Sequence, residues 1–216
     1  DRTSLRLRTL SDPVERGPAI ALMTQIISAP TFPDAVLARD KQRLVAAIRE
    51  SLTKPSVLAE RAFGKAIYGT HPYGQTAAPE TVESITRDDI VRYYQANYTA
   101  KRAVVTLIGA ISRQEAEAIA EQITRGLPAD GATPPALPAV KEPLEKAETV
   151  RIPHPAQQAT IVMGQPAIAR GDKDYFPLLV GNYVLGGGGF SSRLTNEVRE
   201  KRGLTYSIGS GFAPAA

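Results

Sequence analysis

Two side chains near the end of the sequence, Arg199 and Tyr206, can serve the same chemistry. A guanidinium and a phenol each donate hydrogen bonds, and either can hold a peptide carbonyl or a developing oxyanion. They follow a run of four glycines, Gly186 to Gly189, and the stretch Phe190-Ser191-Ser192-Arg193-Leu194. Glycine has no side chain to bury, so this run is expected to supply sharp or left-handed backbone rather than packing, with room for another chain to approach. Ser191 or Ser192 can cap a helix that keeps Leu194 and Val198 on one face. Gly203 ends that helix behind Lys201 and Arg202, whose charges suit a helix C-terminus. Leu204, Tyr206 and Ile208 then alternate with Thr205, Ser207 and Gly209, the pattern of a strand. The same pattern also reads as a core tyrosine and a surface arginine paired with a neighbouring acid. Spacing does not choose between the two.

Other routes to chemistry are thin. The two histidines, His71 and His154, lie far apart, and each is followed by proline. Neither has a second histidine or a carboxylate three or four residues on, so each is expected to be a turn histidine and no zinc pair forms. No serine sits in a G-x-S-x-G elbow, and zero cysteines exclude thiol nucleophiles and disulfides. The glycine run lacks G-K-[ST], and Ser191 stands where the third glycine of G-x-G-x-x-G belongs, which argues against a nucleotide phosphate site.

The 216 residues suit one large domain or two modest ones, and they are enough to bury a core. Twenty-six basic against 22 acidic side chains leave a mild +4. The basic residues are scattered among acids along helices, the pattern of solvated faces and not of a nucleic-acid-binding surface. No apolar run reaches membrane-spanning length, and no signal peptide opens the chain. A start at Asp1 and a stop just after a strand read as an internal piece of a longer protein.

The elements that would position the site read as follows. Thr3 to Thr9 alternates like a half-buried strand. Asp12-Pro13 opens a helix through Ala19, Leu22, Met23, Ile26 and Ile27. A second helix, after Pro33, buries Leu37, Leu44, Val45, Ile48 and Leu52. A third opens at Pro55, and Tyr68 to Gly74 forms a turn-rich loop. Thr86 with Asp89, and Ser112 with Glu115, are capping boxes. Ala103 to Ile108, Thr149 to Ile152 and Ala159 to Met163 read as strands, and a helix opens near Asp174 and runs to Leu185. Residues 128–144 are proline-rich and form the expected linker between residues 1–127 and 145–216. Strands and helices without regular βαβ alternation predict an α+β fold with mainly antiparallel sheets and helices packed on one face of each.

The run from Leu185 to Leu194, continuing through Glu197 to Ser207, closely resembles the second domain of the insulinase/pitrilysin-type zinc peptidases, the inverzincins. His71-Pro72-Tyr73-Gly74 and the segment from Val105 to Gly109 with its capped helix resemble the end of the first domain. The resemblance implies two partial, related α+β domains: the later half of the first over 1–127 and the early half of the second over 145–216. The family binds zinc through H-x-x-E-H, which would precede Asp1, and through a downstream glutamate in E-R-x-x-V-x-x-E. That second pattern falls on Asp40-Lys41-Gln42-Arg43-Leu44-Val45-Ala46-Ala47, with Ala47 at the ligand position. Glu50 lies roughly 300° further round the helix, and using it would need an insertion before Pro55.

The resemblance therefore implies a subunit of a zinc-dependent metalloendopeptidase that binds no zinc through this segment. The metal would sit on a homologous partner chain. Arg199 and Tyr206 would bind the peptide backbone and steady the tetrahedral intermediate. Gly186, Gly187, Gly188 and Gly189 would handle substrate, as a glycine-rich loop does in the non-catalytic subunit of the related mitochondrial processing peptidase. Two alternatives share the fold: a structural relative without peptidase activity, like core subunits of the respiratory complex, and a self-sufficient peptidase whose H-x-x-E-H lies upstream. The expected partners are a peptide, the zinc-bearing subunit and, for the piece itself, further copies of itself. The bacterial periplasm is the expected compartment over the cytoplasm, although nothing in the segment fixes it.

Overall fold

A computed structural model describes residues 3–140 and 146–213, so the last part of the expected linker, 141–144, lies outside the described residues. The chain divides into two compact units, one of residues 1–140 with 150–162 and one of 141–149 with 163–216.

The first unit is built from six helices: α1 (Pro13–Ser28), α2 (Asp34–Ser51), α3 (Pro55–Tyr68), α4 (Pro79–Ser84), α5 (Arg87–Asn97) and α6 (Arg113–Thr124). Their starts follow local chemistry. Asp12 accepts the Val14 amide at 2.8 Å ahead of Pro13, whose missing N–H is no loss in a first turn. Thr86 and Asp89 close the box that opens α5, and Ser112 and Glu115 close the one that opens α6. Burial is concentrated in two small clusters. Ile20 of α1 meets Ile119 and Ile123 of α6, with Ile27, Leu107 and Ile111 packed around them. Val45 and Ile48 of α2 meet Val82 of α4, with Leu52 beside them. Leu44, expected on the buried side of α2, is exposed.

The expected α+β architecture is corrected by the structure. Among the described residues the regular structure is helical throughout, and no strand or sheet forms. The five segments read as strands, at residues 3–9, 103–108, 149–152, 159–163 and 204–208, are not helical, but no ladder of backbone hydrogen bonds joins them. The physical reason is that side-chain alternation specifies an extended backbone and says nothing of a partner. A sheet needs a second segment whose N–H and C=O groups align with the first. Here Val104, Ile108 and Met163 are each more than nine-tenths exposed, so these side chains are not turned to a core, although Leu107 packs on the Ile20 cluster.

The proline-rich stretch is tied down within the first unit. Pro128 O accepts from the Ala100 amide at 2.8 Å, and the Ala132 amide donates to Ala96 O at 3.0 Å. Lys101 reaches Asp130, and His71 Nε2 lies 3.0 Å from Pro138 O.

The second unit carries α7 (Tyr175–Asn182), which continues into a wider π-helical turn, Tyr183–Gly187. The chain then passes through the glycine run and re-enters helix, with a second π-helical stretch at Thr195–Glu200. Such i→i+5 turns are rare and often mark functional sites, because each extra residue re-aims the side chains around it. The final extended segment lies along α7, with the Asn182 amide nitrogen 3.3 Å from Ser210 O and the rings of Tyr175 and Phe212 near one another.

Candidate functional site

The glycine run is less uniform than its sequence suggests. Gly186 is buried, and a Cβ there would stand 2.5 Å from Ser210 Oγ and 2.6 Å from Ser210 N. At Gly188 a Cβ would stand 2.8 Å from Tyr183 O. These two positions are glycine because neighbouring chain packs against them, which corrects the expectation that packing has no part in the run. Gly189 is different: open space surrounds it, but its φ of +62° is one that L side chains rarely adopt. Gly187 and Gly189 are the two members of the run whose surface is exposed.

Ser192 is the helix cap, of the two serines considered. Its Oγ accepts the Thr195 amide at 3.4 Å and lies 3.0 Å from Thr195 Oγ1, which in turn donates to Gly189 O at 3.0 Å. Gly203, at φ +61°, stops the helix in the left-handed conformation, with its amide on Arg199 O at 2.9 Å. That stop sets the chain that carries Tyr206 back toward the helix.

Arg199 and Tyr206 come together. The Arg199 Cζ lies 5.5 Å from the centre of the Tyr206 ring and 4.8 Å from the centre of the Phe190 ring. Phe190 is the residue missed by a reading of hydrogen-bonding groups; the signal that could have found it is a large apolar residue isolated among glycines and serines. Tyr206 is 87% exposed, which removes the alternative of a core tyrosine. The Arg199 side chain is only 29% exposed, and its ion-pair partner is Glu200, with Nε and Oε1 at 3.5 Å. The other nearby acid is occupied. Glu197 accepts from Lys201 at 2.6 Å and from Arg202 at 3.2 Å, and the Lys201 hydrogen bond holds its carboxyl below the usual range. No described residue accepts a hydrogen bond from the Arg199 guanidinium. Two arginines of the first unit are instead used within the fold: Arg87 donates to Thr31 O and Phe32 O, and Arg61 to Ala77 O. A half-buried guanidinium with idle N–H groups beside an exposed phenol is equipped to take an acceptor from outside.

The candidate ligand positions among the described residues do not fit zinc. Ala47 lies exposed on α2 and offers no donor atom. Asp40 is engaged by Arg39 and Arg43, and Glu50 by Lys54. His71 and His154 are turn histidines, as expected. Each accepts a following amide on Nδ1, from Tyr73 and Ala156, and each places Nε2 on a carbonyl, Pro138 O and Thr53 O. No group of three or more histidine, aspartate or glutamate side chains converges among the described residues. No helix among them is long and apolar enough to cross a membrane.

Comparison with known proteins identifies the family. Residues 84–216 match the family model described as the peptidase M16 inactive domain. An uncharacterized zinc protease of Streptomyces coelicolor is 32% identical over 168 residues, covering 73% of this chain and 34% of its own length. An uncharacterized zinc protease of Bacillus subtilis is 27% identical over 192 residues, covering 88% of this chain and 46% of its own. The crystal structure of a peptidase M16 inactive domain from Pseudomonas fluorescens superposes with a TM-score of 0.76 at 35% identity, over 95% of this chain and 50% of that one. The chain thus spans from about a third to about half of the length of the relatives it matches. The resemblance to the insulinase-type zinc peptidases is borne out, and the chain belongs to the peptidase M16 family, in the part described as its inactive domain.

Proposed function

We propose that this chain is the substrate-binding member of a zinc-dependent peptidase whose metal is held by a homologous partner chain. The single observation that supports this most is the pairing of idle donors with a missing ligand. Arg199 and Tyr206 stand together with N–H and O–H groups unused, while the family's downstream ligand position is Ala47. In this reading Arg199 binds a carbonyl of the peptide and Tyr206 donates to the oxyanion that develops at the scissile carbon. The exposed backbone of Gly187 and Gly189 forms the surface along which the peptide lies, and Gly186 and Gly188 keep that surface in place.

Preorganised donors act where charge develops, and removing one reduces turnover by about a hundredfold to a thousandfold. The full-length protein mixed with its zinc-bearing partner is therefore expected to cleave a quenched fluorescent peptide that neither chain cleaves alone, and Arg199→Ala to reduce cleavage by about that factor. Unchanged cleavage by Arg199→Ala contradicts the reading. The longer relatives bear the name zinc protease, which favours a second reading, a self-sufficient enzyme with its ligands elsewhere on one polypeptide. One equivalent of tightly held zinc in the purified full-length protein would select it.

The chain is further expected to bind copies of itself when isolated, because apolar side chains of its extended segments, among them Val104, Ile108, Ile161 and Met163, lie exposed.

A further inference from the structure

Phe190 is 77% exposed at the tip of the glycine run, where burial does not account for an aromatic ring. Its neighbourhood is unusually well fixed for so glycine-rich a stretch. Gly189 takes the left-handed turn immediately before it. Ser191 Oγ donates to Gly188 O at 3.0 Å, and Thr195 Oγ1 donates to Gly189 O at 3.0 Å. Thr195 Oγ1 is bonded in turn to Ser192 Oγ, and these two hydroxyl side chains are almost wholly buried, at 5% and 1% exposure. Two hydroxyls therefore tie down the two peptide carbonyls just before Phe190, and a third steadies one of them. The loop is clamped at the one position that carries a ring, and that ring lies against the Arg199 guanidinium, 4.8 Å from Cζ to ring centre.

We propose that Phe190 is a positioning residue for Arg199: its clamped ring holds the guanidinium plane and so sets where the N–H fork meets the peptide. The proposal rests on the reading of Arg199 as a peptide-binding group. Its physical basis is the negative face of an aromatic ring, which attracts a guanidinium. A leucine would fill similar space without that face. Glu200 lies 3.5 Å off the Nε edge of Arg199, so the ring is the firmer constraint on the plane and the terminal nitrogens are left for a ligand. A guanidinium steadied in this way loses less freedom on binding a carbonyl.

The test uses the full-length protein with its zinc-bearing partner and a quenched fluorescent peptide. Phe190→Leu is expected to lower kcat/KM about twofold to thirtyfold, the span of cation–π strengths from exposed to desolvated sites. Phe190→Tyr, which keeps the ring, is expected to restore it. In an Arg199→Ala background Phe190→Leu should add nothing, because residues acting through one another are not additive. A second readout needs no activity: side-chain NMR of the full-length protein, with the Arg199 Nε–Hε resonance identified by its loss in Arg199→Lys. Ring current should displace that resonance, and Phe190→Leu should return it toward the position of exposed arginines. An Arg199 resonance that ignores Phe190→Leu overturns the proposal, as do losses from Phe190→Leu and Arg199→Ala that simply multiply. If Arg199→Ala leaves cleavage intact, the peptidase reading fails, and the resonance alone decides whether the ring positions the arginine.

Discussion

Arg199 is held by two aromatic rings and one loose ion pair, and this distinguishes it from the arginines that brace the helices. The glycine run makes a sharper prediction than the sequence allowed. Gly186→Ala must push its new methyl into the Ser210 backbone, an overpacking expected to destabilise by about 1–3 kcal/mol. Gly189→Ala meets open space and is expected to lose about 1–2 kcal/mol through left-handed strain alone. Urea unfolding of the full-length variants measures both, and wild-type stability for Gly186→Ala would show that the close approach to Ser210 is not required. Arg199, Tyr206 and the capping serine were legible as candidates because their chemistry is written in their side chains. Their proximity was not, since a π-helical stretch and a left-handed Gly203 stop bring the two together, and neither leaves a periodic trace. Phe190 was overlooked because it has no hydrogen-bonding group to attract notice.

Among the elements, the helix starts were the most legible, because a cap is settled within four residues. The box opening α6 has a measurable signature in pH. Hydrogen bonds from the Ser112 amide and hydroxyl, with help from Arg16, lower the Glu115 carboxyl from the usual carboxylate range to about 2. The folded value lies below the unfolded one, so this stabilisation is complete above the ordinary value of 4.5 and is lost as pH falls from there toward 2. Unfolding free energy measured from pH 5 to pH 2 should therefore fall more steeply for the wild type than for Glu115→Gln, and parallel curves would contradict the assignment. Ser112→Ala, which deletes the hydroxyl but keeps the amide and Arg16, should lessen that slope without abolishing it and remove about 1 kcal/mol of stability at neutral pH. Helix α4 was missed, since Pro79–Ser84 is too short to show a helical period. The expected sheets failed for the opposite reason. Alternation along Ala103 to Ile108 or Ala159 to Met163 is a real local signal, but pairing is a property of two segments and no single segment encodes it.

At the scale of the molecule, the buried apolar clusters are small and both lie in the first unit, while many large apolar side chains stay exposed. The isolated 216-residue chain should accordingly elute as oligomers that grow with concentration, and a monodisperse monomer in light scattering would count against this. Membership in the peptidase M16 family was legible because the stretch from Gly186 to Ser207 is long and specific in sequence. Whether the Arg199 and Tyr206 donors work on a peptide beside another chain's zinc is best asked by removing a single oxygen. Tyr206→Phe keeps the exposed ring beside Arg199 and deletes only the phenolic donor. In the assembled full-length pair, kcat for peptide cleavage should fall by about a hundredfold to a thousandfold with KM changed far less. A Tyr206→Phe enzyme that turns over at the wild-type rate would contradict the role given to this chain.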